Sequence, residues 1–356
     1  MRGFAGTRSA LLASFLIAAL LPTMASAAPR NFWGVHPNYQ VTPLNGGDYD
    51  RMRSARVGTM RFQLNWNQTE PVRDGAYQWG RIDPIMANLA RKGIEPRPFI
   101  YGTPSWAGKS ALHQPSGRQG NLEWQEFLRD VMRRYGRGGS FWSQPGAPPA
   151  QPIKVVQILN EVNSSKYYKP GPNPRKYGQF IKISSKAIKS VNRRAKVLLA
   201  GMFGTPISRG AIPAWRFLSK LYRVPKVEKY FDGVAVHPYS PNLRGIRYQM
   251  HKMRSVIKKN RDRRTKLYAT ELGWGSAKGG RKSLSKGRRG QARMLKSSFR
   301  MLHKGRKRWN LAGVTWYSWA DPASSSDPCT WCRTSGLLDE GGNAKPSLSA
   351  FRSAAR

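Results

Sequence analysis

One feature of this chain constrains its fold more than any other. Short runs rich in Val, Ile and other apolar residues alternate with longer stretches whose apolar residues recur at helical spacing, the pattern of βα units laid around a parallel sheet. The spacing predicts strands at 32–36, 59–65, 97–101, 153–159, 196–201, 233–237, 266–270 and 313–318. Eight is the number that closes a barrel. Between them, Leu122, Trp124, Phe127, Leu128, Val131, Met132 and Tyr135 mark a helix running from an Asn121 cap to Gly136. Another begins at Asn173-Pro174, where a capping residue precedes a proline, and carries Tyr177, Phe180, Ile181, Ile188 and Val191 on one face. Leu243, Ile246, Met250, Met253 and Ile257 mark a further one, and the Pro- and Gly-rich piece 136–152 reads as a loop.

No internal repeat and no interdomain linker is visible, so the expected fold is α/β, a single-domain (β/α)8 TIM barrel over 28–356. An open doubly wound sheet is the alternative. No G-x-G-x-x-G or G-x-x-x-x-G-K-[ST] loop follows the first strand, which removes the usual reason to prefer a nucleotide-binding fold. At 356 residues and 39% hydrophobic, the chain can bury a sizeable core.

The first 27 residues have the form of a secretory signal peptide: Arg2 and Arg8, an apolar stretch at 10–21, and a small-residue site at Ala25-Ser26-Ala27. The expectation is a secreted, extracellular protein cleaved near Ala27. No other apolar run approaches the ~20 residues that cross a bilayer. In an oxidising compartment Cys329 and Cys332 are expected to form a small loop-closing disulfide. Half a zinc site, a redox pair and two free thiols are the other readings of C-x-x-C, but no second cysteine pair accompanies it.

The charge is extreme, with 62 Lys and Arg against 18 Asp and Glu, a formal +44. Between Arg244 and Arg308 stand 23 basic residues and two acids, Asp262 and Glu271. Such a surface attracts anionic polymers or an anionic cell surface without implying a specific nucleic-acid partner. A merely solvated basic face is the plain alternative.

In a parallel barrel, catalytic groups sit at the C-terminal ends of strands. Those ends hold His36, Arg61 with Asn65 and Trp66, Tyr101 with Trp106, Asn160-Glu161, Met202, His237 with Tyr239, Glu271 with Trp274, and Trp316 with Trp319. Of the eight glutamates, Glu123 and Glu126 read as helix surface, Glu95 and Glu228 precede strands, Glu70 falls in a turn before Pro71, and Glu340 in a Gly-rich turn. Glu161 and Glu271 remain. Two carboxyls across a barrel mouth suit glycosidic hydrolysis, one protonating the leaving oxygen and one, ionised, acting on the other side of the sugar. Trp66, Trp106, Trp274, Trp316 and Trp319 at the same mouth would stack on sugar rings, or else pack into the core. The alternative for the glutamates is a pair of helix-cap or salt-bridge residues.

Asn160-Glu161, Glu271 in YATELGW, His237-Pro238-Tyr239 and TWYSWAD together resemble the signature of clan A retaining glycoside hydrolases, the cellulase-like and β-xylosidase-like (β/α)8 barrels. The tail SGLLDEGGNAKPSLSAF resembles their closing hairpin and last helix. Val162 stands where the family often has proline, and RFQLNW matches its strand-two pattern only loosely. The resemblance implies catalytic roles for Glu161 as acid/base and Glu271 as nucleophile, with Asn160 binding the sugar 2-hydroxyl. It likewise implies that Tyr239 and Arg61 contact the nucleophile, that His237 lines the pocket, and that Trp319 rather than Trp316 lies under the sugar. The Arg61 cation and a Tyr239 hydrogen bond are expected to lower the Glu271 pKa, and retention requires carboxyls ~5 to 5.5 Å apart. The implied activity is that of a secreted retaining β-glycoside hydrolase acting on a β-linked poly- or oligosaccharide, with no cofactor or metal required. The competing reading is an exported basic polyanion- or glycan-binding protein on an inactive barrel, working through 244–308.

Overall fold

Eight strands pair in sequence order, all parallel, and the last returns to the first to close a barrel. They are β1 (Trp33–His36), β2 (Thr59–Asn65), β3 (Glu95–Tyr101), β4 (Val155–Ile158), β5 (Lys196–Phe203), β6 (Gly233–His237), β7 (Lys266–Leu272) and β8 (Leu311–Tyr317). The helices between them are α1 (Gly46–Ser54), α2 (Trp66–Thr69), α3 (Asp83–Lys92), α4 (Gly117–Tyr135), α5 (Pro174–Val191), α6 (Ala214–Leu221), α7 (Leu243–Lys259) and α8 (Gly287–Trp309). Two more, α9 (Thr330–Arg333) and α10 (Pro346–Ala354), follow β8. This computed structural model describes residues 28–37, 44–204, 209–281, 283–323 and 329–355, with Met1 and Gly3. The rest of the expected signal segment lies outside them. Among the described residues no helix is long and apolar enough to cross a membrane.

The strands form where the sequence predicts them because both faces are covered. In β2 the apolar Met60, Phe62 and Leu64 alternate with polar Thr59, Arg61, Gln63 and Asn65, and all seven are buried. The apolar set packs outward under the helices, so the polar set faces the barrel interior. Inside, Val155, Leu198 and Tyr268 make a small apolar layer of their own, separate from the main core.

Several boundaries move. The fourth strand is shorter than 153–159 because Leu159 adopts a positive φ of 62° and ends it. Helix α4 starts at Gly117, not after Asn121; the Asn121 side chain lies within the helix and donates to the Gly117 carbonyl at 2.8 Å. Asn173 does cap α5, accepting from the Lys176 amide at 2.9 Å. The tail folds back through a Leu338–Ala344 antiparallel bridge before α10.

Two irregularities shape the mouth. Between Ala269 and Leu272, β7 spends three residues where β8 spends two, from Val314 to Trp316, so one extra residue bulges. The bulge breaks the alternation and lets Glu271 face inward directly after Thr270. In β5 the same excess falls between Leu199 and Met202, opposite Val234 and Val236. It brings Gly201 against the His237 ring, where a Cβ would stand 2.1 Å from Nε2, so only glycine fits.

Candidate active site

Glu161 and Glu271 converge at the C-terminal end of the barrel. Glu161 lies just past β4, its amide donating to the Gly201 carbonyl at 2.8 Å, with φ at 46°. Glu271 comes from the bulged end of β7. Both are buried. With His237 they form a group whose nearest ligand atoms all lie within 4.8 Å of one another.

Their surroundings differ. Glu271 Oε1 accepts from Arg61 Nη1 at 2.8 Å, and Oε2 accepts from the Tyr239 hydroxyl at 2.9 Å. Arg61 also donates through Nη2 to Asn160 Oδ1 at 2.8 Å and through Nε to Gln157 Oε1 at 3.2 Å, and its guanidinium lies over the Phe99 ring at 4.1 Å. All three arms of the fork are occupied, so the cation has one geometry. Because Arg61 and Gln157 donate to the Asn160 amide oxygen, the amide nitrogen remains as the side chain's donor.

His237 Nδ1 lies 2.8 Å from Glu161 Oε1 and 3.4 Å from Glu271 Oε2. Its Nε2 is buried against Gly201 with no hydrogen-bond partner. The N–H therefore belongs on Nδ1, where it has an acceptor. Burial and the Arg61 charge hold the His237 pKa well below the usual range, so the ring is neutral. His36, whose Nδ1 lies 2.8 Å from the Arg61 carbonyl, is pushed down to about 3 by burial and by Arg61.

Burial pushes both carboxyls up. Glu161 is raised well above its ordinary value, first by burial and then by the Glu271 charge. Glu271 is raised too, by burial, while Arg61 and the Tyr239 hydroxyl pull it back. The sequence-based expectation of a lowered Glu271 pKa is thus corrected: desolvation outweighs the cation. The order survives, because only Glu271 is touched by a cation, so it ionises first and Glu161 keeps its proton. The same Arg61 cation disfavours a metal ion among Glu161, His237 and Glu271, since a divalent cation there would face a guanidinium.

The tryptophans need correction. Trp316 is fully buried on the outer side of β8, its indole nitrogen donating to the Ser335 carbonyl at 3.0 Å and its ring beside Trp274 and Phe299. Trp319 is also fully buried, donating to Asp48 of α1 at 3.0 Å. Neither offers a face to a sugar. Trp66 and Trp274 are likewise sealed in the core, and Trp106 alone of the five keeps partial exposure. Glu70 is not in an open turn but buried, accepting from Trp66 Nε1 at 2.7 Å.

Other aromatic residues line the mouth. The half-buried Tyr317 sits 5.5 Å from the His36 ring, and Trp331 packs 4.7 Å from Tyr239 and 6.2 Å from Tyr317. Trp331 occupies the short loop closed by a Cys329–Cys332 disulfide. Tyr167 has Lys166 over its ring at 5.2 Å, and burial, with the nearby Glu161 charge, raises its pKa. Gln157, Tyr317 and Trp331 escaped the sequence reading. Gln157, the one polar residue in VVQI, carried a visible signal.

No family model matches the chain, and no curated protein matches it. Solved structures do. One is a family 39 glycoside hydrolase from the gut symbiont Bacteroides cellulosilyticus, at 17% identity and TM-score 0.68, covering 92% of this chain and 64% of that one. A monomeric beta-xylosidase from Caulobacter crescentus aligns at 17% identity and TM-score 0.64, over 92% and 69%. A GH5_18 protein from Bifidobacterium longum, in complex with Manb1-4GlcNAc, aligns at 15% and 0.67, over 91% and 77%. The likeness establishes a shared barrel fold, and this chain spans about 64% of the length of the Bacteroides enzyme.

Proposed function

We propose that this chain is a retaining β-glycoside hydrolase that cleaves a β-linked poly- or oligosaccharide, with Glu271 as nucleophile and Glu161 as general acid/base. One observation carries this reading: two buried carboxyls at the barrel mouth bring one oxygen each to within 4.8 Å, and only one of them is held by a cation and a phenol. Retaining enzymes need carboxyls about 5 to 5.5 Å apart, and inverting ones about 6.5 to 9.5 Å. The solved structures that share the fold are glycoside hydrolases, which agrees with the reading.

In the first step a Glu271 oxygen bonds to the anomeric carbon while Glu161 gives its proton to the departing glycosidic oxygen and that C–O bond breaks. Forming the ester removes the Glu271 charge, and with it the repulsion that kept Glu161 protonated. Glu161, now a carboxylate, takes a proton from water as the water oxygen attacks the anomeric carbon and releases Glu271. The Asn160 amide donates to the sugar 2-hydroxyl, a contact that strengthens in the transition state. His237, neutral and wedged between the carboxyls, orients them. Trp331 and Tyr317 form the aromatic wall on the Glu271 side, and Tyr167 lies on the Glu161 side. Residues 1–27 act as an export signal, which puts the enzyme outside the cell with its glycan.

The test uses aryl β-glycosides. Glu271→Ala should lose turnover by about 10⁴-fold or more, and azide should restore it with an α-glycosyl azide as product. With Glu161→Ala, azide should yield the β-glycosyl azide. Unchanged turnover in Glu271→Ala sinks the assignment.

A further inference from the structure

A large cavity lies at the other end of the barrel. It has a volume of about 660 Å³, opens under the N-terminal ends of the strands, and is lined by four arginines, four lysines and a single acid, Glu95. Lys196 and Lys266 open β5 and β7, and Lys154 immediately precedes β4. Closure of the barrel therefore sets them around a ring rather than along a line. Arg194 before β5, Arg137 after α4 and Lys307 at the end of α8 complete it.

We propose that this face is a binding site for a tetrahedral oxyanion of phosphate type, presented by free phosphate or by a phosphate polymer. Three observations carry the proposal. First, the one carboxylate present is already engaged, since Glu95 accepts from Arg97 Nε at 2.9 Å and from Asn31 Nδ2 at 3.0 Å. Among the described residues, Arg137, Lys154, Arg194, Lys266 and Lys307 show no ion pair, whereas Glu126, Asp130 and Asp83 are paired with arginines of the α4 surface. Second, the cations surround a concavity. Arg137, Lys154, Arg194, Lys266 and Lys307 are exposed at its rim, and like charges gathered around an open hollow repel one another and raise a positive potential in it, which a bound anion relieves. Third, the cations approach from many directions. A planar carboxylate offers two oxygens in one plane, while a tetrahedral anion offers acceptors on every side, and guanidinium forks suit it.

This site stands at the opposite end of the barrel from Glu161 and Glu271 and is independent of the proposed hydrolysis. The test is calorimetric titration of the purified protein with inorganic phosphate, tripolyphosphate, long-chain polyphosphate and, as a carboxylate control, poly-glutamate of matched charge. Two triple variants are compared. One reverses the cavity cations, Lys154→Glu, Arg194→Glu and Lys307→Glu. The other reverses three exposed cations outside it, Arg247→Glu, Lys252→Glu and Arg293→Glu. Polyphosphate binding should weaken about tenfold or more in the cavity triple and less than about twofold in the outer triple. Free phosphate that competes with polyphosphate identifies a small-anion site, and binding of polyphosphate alone identifies a polymer site. Both support the proposal. The corresponding glutamine variants, with circular dichroism, separate lost binding from lost fold. Equal losses in the two triples, poly-glutamate binding as tightly as polyphosphate, or no binding at all would overturn it. Turnover of aryl β-glycosides should be unchanged in the cavity triple.

Discussion

Arg61 on β2 and Glu271 on β7 meet at 2.8 Å across the interior of the barrel. Among the described residues, Glu161 is in ion-pair contact with no lysine or arginine; its close partner is the Nδ1 of the neutral His237, at 2.8 Å. That asymmetry fixes the order of ionisation and so the pH dependence. In the proposed mechanism turnover needs Glu271 ionised and Glu161 protonated, and burial raises the pKa of both. Activity should therefore rise as pH passes the lower apparent pKa of the pair and fall as it passes the upper, with both above the ordinary carboxylate value of about 4.3. A pH profile of kcat/KM checks this. Glu161→Gln should remove the descending limb from whatever activity remains, and a maximum below about pH 4 would contradict the assignment.

Arg61 is the piece whose replacement tests that asymmetry. Lysine keeps the charge but not the fork, so Arg61→Lys abandons at least one of the contacts to Glu271, Asn160 and Gln157. The expected result is a kcat about 10²-fold lower, with the ascending limb of the profile moved to higher pH as Glu271 loses its stabilising donor. Gln157→Leu should shift the same limb in the same direction by less, because it loosens Arg61 without removing it. A limb that stays in place in both variants would show that Arg61 does not govern the nucleophile.

Trp331 is expected to act through contact with the sugar. It packs 4.7 Å from Tyr239, and the Cys329–Cys332 disulfide closes the loop that carries it. Trp331→Ala should raise KM about tenfold, of the order of one lost aromatic stacking contact, and Trp331→Phe should restore most of it. Cys329→Ser with Cys332→Ser should raise KM by a smaller factor. If Tyr239 depends on Trp331 for its position, kcat falls as well and the ascending pH limb moves up; steady-state kinetics separates the two effects.

How much of this is legible in the sequence follows from the physics of each feature. Strands of a parallel barrel are covered on both faces, so they read as apolar runs, and their order needs no further information. Glu161 and Glu271 stand out because acids are so scarce in this chain. The inward turn of Glu271 is not legible: it depends on one extra residue between Ala269 and Leu272, and nothing in YATELGW marks a bulge. The tryptophans mislead for a similar reason. Position near a strand end does not tell which side of the strand an indole takes, and Trp316, Trp319, Trp66 and Trp274 all turn to the core. Trp331 hides between two cysteines whose own chemistry draws the eye. The polar alternation of Thr59, Arg61, Gln63 and Asn65 was a readable sign that the barrel interior above its apolar floor is polar.

A buried ion pair holds the segment after β8 in place. Lys345, 2% exposed, donates from Nζ to Asp321 Oδ2 at 2.7 Å, to Ser276 Oγ at 3.0 Å and to the Thr334 carbonyl at 3.1 Å. Asp321 Oδ1 accepts in turn from the Gly336 amide at 2.7 Å. Every donor of the ammonium is used, so the pair ties the end of the TWYSWAD segment to the loop that follows Trp331. Burial raises the Asp321 pKa and lowers that of Lys345, which means desolvation offsets much of their attraction. The pair should therefore contribute little beyond an apolar replacement, yet losing one partner should strand a buried charge. Lys345→Ala is expected to cost about 3 to 5 kcal/mol in urea unfolding, and Lys345→Met with Asp321→Leu to recover at least half of that. A single-variant cost below about 1 kcal/mol would mean that the charges are solvated after all.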